Sequence, residues 1–154
     1  MINGVVRKDL KVYEDERGRL FELFRIGDPE LIQPAMAYMS FTNPGVVRGP
    51  HEHKEQTDMF IFPGIGSFWV YLWDRREDTF SKRELEVLAF RDREPALLIV
   101  PPGVVHGYRA DKITGGWALN FPDKPYKGED GKQEVDEIRH EDDPNSPYKI
   151  PRIY

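Results

Sequence analysis

The sequence predicts an all-β protein, an antiparallel sandwich or barrel of the jelly-roll kind, over its 154 residues. Short runs of β-branched and aromatic residues recur along the chain, and turn residues separate them. The 13 glycines and 13 prolines supply those turns, and no helical period runs long enough to compete. The chain is 39% apolar and 12% aromatic, which excludes a disordered protein and allows a packed core.

The first third of the chain alternates strand-forming runs with turns. Gly18 closes a turn of charged residues because glycine adopts positive φ without strain. Aromatic and branched residues then favour a strand, and a proline at position 34 ends a possible helical turn. The predicted elements are a strand over residues 5–13, a turn at 15–18, a strand over 20–25, one helical turn over 28–32 and a strand over 35–42.

The remaining strands follow at short intervals. They are predicted at residues 59–62, 66–73, 83–90, 96–100, 107–110 and 116–121. In the strand over 66–73, period-2 alternation separates two faces. One face carries Phe68, Val70 and Leu72, and the other carries Trp69, Tyr71 and Trp73. We interpret residues 1–154 as a single domain with a polar, extended C-terminal tail from about residue 127.

Composition narrows the functional classes. The net charge of −5 gives no support to a nucleic-acid or membrane-surface partner. The chain has no cysteine, so disulfides and thiol chemistry are excluded. No apolar secretory segment opens the chain, and its longest apolar run, residues 96–105, is too short to span a bilayer. We expect a soluble cytoplasmic protein.

Three of the four histidines fall in two short motifs. His51 and His53 form a His-Glu-His triplet, and His106 follows a Pro-Pro-Gly turn. In an extended strand, His51 and His53 point to the same face. Such a pair suits either proton transfer near neutral pH or two ligands of a metal. Pro50 donates no ladder hydrogen bond, which predicts a bulge or an edge position just before His51.

These motifs resemble a known family. Gly45-x5-His51-x-His53-x4-Asp58, followed by Pro101-x-Gly103-x2-His106, resembles the two-part motif of the cupin superfamily, although that motif prefers Glu where Asp58 stands and ends in an asparagine that is missing here. Within the superfamily the chain is similar to the dTDP-4-dehydrorhamnose 3,5-epimerase family. The matching strings are residues 15–22, 45–51 and 102–108.

The resemblance implies a cupin jelly roll and a homodimer that binds a nucleotide-linked sugar, with no cofactor. His51 corresponds to the family's general base, and His106 corresponds to a second histidine of the site. The resemblance further implies substrate contacts from Arg17 and Arg48 to the diphosphate, from Glu22 near the nucleobase and from Tyr126 on the wall of the site. A bidentate guanidinium suits phosphate oxygens, which agrees with the two arginines.

The chain also departs from the family pattern. The family's general-acid tyrosine falls near Leu119, and its enolate-stabilising lysine falls near Asp58. No counterpart of its C-terminal aspartate is found before the chain stops at Tyr154. The string around His51 and His53 is also similar to the sugar 3,4-ketoisomerases, in which both histidines do acid–base work. Tyr38, on the preceding strand, is a candidate hydroxyl for such a site.

Three hypotheses follow. The first is an isomerase that moves protons next to the ketone of a dTDP-4-keto-6-deoxyhexose, with catalytic His51 assisted by His53, His106 or Tyr38. The second is a metal-dependent cupin enzyme, whose ligands are His51, His53, Asp58 and His106. The third is a sugar-nucleotide-binding cupin without catalysis. Because a buried unpaired carboxylate is costly, we expect Asp58 to pair with Arg48, Lys54 or a metal.

Overall fold

Two five-stranded antiparallel sheets and one hairpin make up the protein in the computed structural model, which describes residues 1–29 and 31–151. The first six strands are β1 Val6–Asp9, β2 Val12–Asp15, β3 Gly18–Phe21, β4 Tyr38–Thr42, β5 Val47–Glu52 and β6 Asp58–Phe62. The other six are β7 Phe68–Asp74, β8 Leu85–Phe90, β9 Ala96–Val100, β10 Val104–Ala110, β11 Gly116–Asn120 and β12 Ile138–Arg139. A short 3₁₀ turn, His140–Asp142, follows β12.

The strand order confirms the predicted all-β jelly roll. Sheet one has the order β1-β9-β6-β11-β4, sheet two has the order β12-β5-β10-β7-β8, and β2 pairs with β3 as a separate hairpin. Strands distant in sequence are neighbours in both sheets, as in a jelly roll. No helix in the described part of the chain is long and apolar enough to cross a membrane.

The main core lies between the two sheets. Alternation along β7 separates two faces, as the sequence predicts, and the face with Phe68, Val70 and Leu72 is buried against sheet one. Strands β6 and β9 are buried on both faces, because a second apolar cluster covers the outer side of sheet one. Its cover comes from the segment after the hairpin, which contributes Leu23, Phe24, Leu31 and Ile32.

The N-terminal region differs from its prediction. The expected strand over residues 5–13 is two strands, because the chain bends at Leu10, whose N–H donates to the Pro95 carbonyl. The expected strand over 20–25 ends at Phe21, since the residues after it pack on the outer face of sheet one instead of pairing. The helical turn predicted over 28–32 is only a hydrogen-bonded turn, and its residue Glu30 lies outside the described residues.

The C-terminal segment returns to the outer face of sheet two. Its strand β12 pairs with β5. The ring of Tyr148 contacts Trp73, and Ile150 is buried beside Gly107. The aromatic face of β7 is therefore covered partly by the chain itself.

A bulge in β5 precedes His51, as Pro50 predicts. His51 pairs with His106 and Arg48 pairs with Tyr108, so two residues of β5 oppose one of β10. Gly49 lies in the bulge at φ +80°, and a Cβ there would stand 2.9 Å from the His106 carbonyl oxygen. Glycine is therefore required for the close approach that sets His51 beside His106.

Candidate active site

Four chemically active side chains converge between the two sheets. His51 lies near the end of β5, His53 follows that strand, His106 lies on β10 and Asp58 opens β6 in the facing sheet. One ligand atom from each of the four lies within 4.8 Å of the others. The structure thus brings together the three histidines and the aspartate that the sequence motifs single out.

Asp58 is the centre of this cluster and is 1% exposed. Its Oδ2 lies 3.2 Å from His53 Nε2 and 3.1 Å from His106 Nε2. Its Oδ1 accepts hydrogen bonds of 2.9 Å from the side-chain amides of Gln56 and Asn120. Of the partners expected for Asp58, Arg48 and Lys54 are wrong, because imidazoles and amides surround the carboxylate instead; the metal stays a prediction.

Backbone carbonyls fix the outer nitrogens of two imidazoles. His53 Nδ1–H donates to the carbonyl of Asp136, and His106 Nδ1–H donates to the carbonyl of Val104 at 2.9 Å. Because Nδ1 is held as a donor in each ring, each Nε2 is turned toward Asp58. Both rings are therefore oriented by the main chain.

The two histidines of the triplet are electrostatically different. Burial and the nearby His106 hold the pKa of His51 well below its ordinary value. Burial also opposes the charged form of His53, but the hydrogen bond and charge of Asp58 outweigh burial and raise the pKa of His53. His51 is thus a neutral base, and His53 favours the cationic form. Opposite pKa shifts in neighbouring groups are typical of an acid–base pair.

The same hydrogen bonds keep Asp58 ionised. Burial favours its neutral form, but the bonds from His106 and His53 outweigh that effect and hold the pKa of Asp58 well below its ordinary value. The cluster therefore contains its own negative charge, which faces the Nε2 atoms of two imidazoles.

Tyr38 and Asn120 extend the cluster across sheet one. The Tyr38 side chain is 50% exposed, but its hydroxyl accepts a 2.9 Å hydrogen bond from the buried Asn120 amide. Burial at that inner end raises the pKa of Tyr38 to about 12, so the phenol keeps its proton at neutral pH. Asn120 Oδ1 is buried and accepts no hydrogen bond from the described residues.

A pocket of about 800 Å³ opens beside the cluster. His51, His53 and Tyr38 line it, and Tyr126 lies on its wall. The other predicted substrate contacts do not line it. Arg17 pairs with Asp15, Glu22 pairs with Arg25, and Arg48 donates to Thr42 Oγ1 and the Phe41 carbonyl.

Sequence reasoning missed four residues of the site, namely Gln56, Asn120, Asp136 and Glu137. Strand alternation is the one signal that could have found Asn120, because position 120 faces inward when Leu119 faces outward. Gln56 lies in the loop between the motif residues, and Asp136 and Glu137 belong to no motif. The carboxylate of Glu137 lies 3.7 Å from His51 Nδ1, although no C-terminal carboxylate partner is predicted.

Comparisons with known proteins find a matching family and several similar proteins. Residues 1–119 match the family described as dTDP-4-dehydrorhamnose 3,5-epimerase. The chain is 40% identical to the spore coat polysaccharide biosynthesis protein SpsL of Bacillus subtilis over 109 residues, 71% of this chain and 72% of that one. It is 36% identical to the probable low-salt glycan biosynthesis epimerase Agl13 of Haloferax volcanii over 135 residues, 86% of each chain.

The chain is also similar to a solved structure. The chain is similar to a dTDP sugar isomerase from Desulfovibrio desulfuricans, with a TM-score of 0.80 and 26% sequence identity. The similarity covers 96% of this chain and 90% of that one. It includes the C-terminal part of the chain, which the family match over residues 1–119 does not reach.

Proposed function

Because the chain belongs to the dTDP-4-dehydrorhamnose 3,5-epimerase family, we propose that it is an isomerase acting next to the ketone of a dTDP-4-keto-6-deoxyhexose. The observation that carries the proposal is geometric: the His51 and His53 rings line one pocket with centroids 5.5 Å apart. The pKa of His51 is held well below its ordinary value by burial, whereas Asp58 outweighs burial and raises the pKa of His53. A base next to a cation is what enolisation requires, since negative charge develops on the ketone oxygen.

The proposed reaction uses both sheets. His51, on sheet two, takes the proton from the carbon next to the ketone. The charge on the enolate oxygen is stabilised by the nearby protonated His53, which takes the place of the lysine that the family carries near Asp58; the stabilisation is electrostatic, because both ring nitrogens of His53 already face Asp136 and Asp58. Tyr38, on sheet one, returns a proton to the opposite face of the carbon, and the centre is inverted. Between turnovers His51 releases its proton to solvent and Tyr38 takes one up from solvent.

Deuterium exchange tests this proposal. The protein is incubated in D2O with a dTDP-4-keto-6-deoxyhexose, and mass spectrometry and NMR locate the deuterium in the sugar. We expect incorporation at carbon 3, carbon 5 or both. If several such substrates show no exchange above the protein-free control, the enzyme proposal fails and the non-catalytic binding hypothesis becomes the better account.

A second candidate is a metal-assisted version of the same reaction. The observation that favours it is the convergence of His51, His53, Asp58 and His106, because three imidazoles and one carboxylate suit a divalent transition metal. A metal held by these residues would act as a Lewis acid at the ketone oxygen.

Elemental analysis of protein purified without a His-tag tests the metal candidate. If it is correct, we expect about one metal ion per chain, and His106→Ala should remove it. The matched control is His140→Ala, which removes a histidine outside the cluster. A metal-free protein that takes up no Zn²⁺ during equilibrium dialysis contradicts this candidate and leaves the proton-transfer proposal in place.

We also propose a homodimer. Beside the half-buried aromatic face of β7, Leu85 and Val87 of β8 are exposed and extend an apolar surface that suits a second copy. Light scattering at micromolar protein should give twice the 18.0 kDa mass of the chain. A monomer mass at every concentration contradicts the dimer. The cytoplasmic location and the substrate contacts of Arg17, Glu22 and Arg48 stay predictions.

A further inference from the structure

Asp136 joins the C-terminal segment to the candidate active site through four hydrogen bonds. Its carboxylate accepts the backbone N–H groups of Lys54 and Glu55 at 2.9 Å and that of Gln56 at 2.8 Å. Its carbonyl accepts the Nδ1–H of His53. One residue therefore holds both a catalytic imidazole and the main chain that follows it.

The three N–H groups belong to the loop that connects His53 to Asp58. The loop has no strand pairing of its own, so the carboxylate supplies the partners that a ladder would otherwise provide. Gln56, at the end of the held stretch, donates to Asp58 Oδ1 at 2.9 Å. The position of Gln56, and through it one contact of Asp58, depends on this anchoring.

The anchoring also determines how His53 is presented. With Nδ1–H donated to the Asp136 carbonyl, Nε2 lies 3.2 Å from Asp58 and the ring lines the pocket. If the Asp136 carboxylate were removed, the loop would be released, and the Asp136 carbonyl and the His53 ring could move together. Movements of about 1 Å at a reacting group can lower a rate by about 10²-fold.

We propose that Asp136 is a positioning residue for the proton-transfer site, an inference that rests on the proposed function. It acts through His53 and the loop over residues 54–56. It lies outside the residues that match the family model, so this part of the site is supplied by the C-terminal segment.

The test compares Asp136→Ala and Asp136→Asn with a matched control. Asp130 is exposed, lies just before the same segment and does not line the pocket, so Asp130→Ala removes the same charged group without touching the loop. We expect Asp136→Ala to lower kcat for deuterium exchange about 10²-fold with KM changed little. Asp136→Asn, which keeps one acceptor oxygen, should recover part of the rate, and Asp130→Ala should match the wild type.

NMR of the imidazole protons separates positioning from a general loss of structure. In the wild type, the His53 Nδ1 proton should exchange slowly, because a carbonyl holds it. In Asp136→Ala this signal should broaden or disappear, whereas the signal of His106 Nδ1 should persist. Full kcat in Asp136→Ala, or lost activity with an unchanged His53 signal, overturns the proposal. If the wild type shows no exchange with any substrate, the proposed function fails, and the His53 signal alone decides the positioning role.

Discussion

Replacing His51 by asparagine is expected to lower deuterium incorporation by about 10²–10⁴-fold, the usual contribution of a general base. Asparagine keeps a polar side chain of similar size but cannot take a proton at neutral pH. Burial and His106 favour the neutral form of wild-type His51, which can accept a proton. The variant therefore loses the base itself. The rate is measured by the loss of the proton signal from the sugar in D2O.

A second histidine provides the control for His51→Asn. His140 contacts Glu52 on the other side of β5 and does not line the pocket. His140→Asn should keep most of the exchange activity, and circular dichroism should show that both variants are folded. An exchange rate for His51→Asn within a factor of three of the wild type contradicts the assignment of the base.

Replacing Asp74 by asparagine is expected to destabilise the protein by about 3 kcal/mol, the scale for removing one partner of a buried charged network. Asp74 is 2% exposed at the end of β7. Its carboxylate accepts hydrogen bonds from Arg76, Thr79 and Ser81. An amide would turn a donor toward these donors, and the loop that joins β7 to β8 would lose its anchor.

The destabilisation should depend on pH. Burial favours the neutral form of Asp74, but the hydrogen bonds from Arg76, Ser81 and Thr79 outweigh it and hold the pKa of Asp74 below its ordinary value. The contribution of Asp74 is therefore complete above the unfolded-state pKa of about 3.9 and is lost as pH falls toward the folded-state pKa. Urea unfolding at several pH values should show the two proteins converging below about pH 4.

Asp78→Asn is the matched control, because it makes the same chemical change at an exposed position of the same loop. It should change the free energy of unfolding by less than about 0.5 kcal/mol. An Asp74→Asn protein as stable as this control at pH 7 would show that the buried carboxylate does not anchor the loop.

Local patterns predicted most of the sheet structure. Alternation along β7 separated its two faces, and a proline before His51 indicated a bulge or an edge position, because both effects depend on neighbouring residues. The approach of His51 to His53 was also predictable, since they are two residues apart in the extended segment at the end of β5. Their approach to His106 followed from the family resemblance alone, because no local pattern encodes the pairing of β5 with β10.

The surroundings of Asp58 and His53 were not predictable in the same way. Asp58 meets Asn120 across 62 residues of sequence, and Asp136 meets His53 across 83. Neither contact leaves a periodic signal, because each depends on how the two sheets and the C-terminal segment pack. The expected pairing of Asp58 with Arg48 was wrong for the same reason, since Arg48 is directed to the end of β4.

Glu52 lies between the two histidines of the triplet in sequence, and its side chain forms ion pairs on the other side of β5. Arg75 Nε lies 2.7 Å and His140 Nε2 lies 2.9 Å from its carboxylate, which is buried. A slip of one residue along β5 would exchange these sides. A carboxylate would then face Asp58, and an imidazole would face the Arg75 guanidinium. Two carboxylates would then repel each other at Asp58, which disfavours the slipped arrangement. The His-Glu-His triplet therefore also specifies the register of β5.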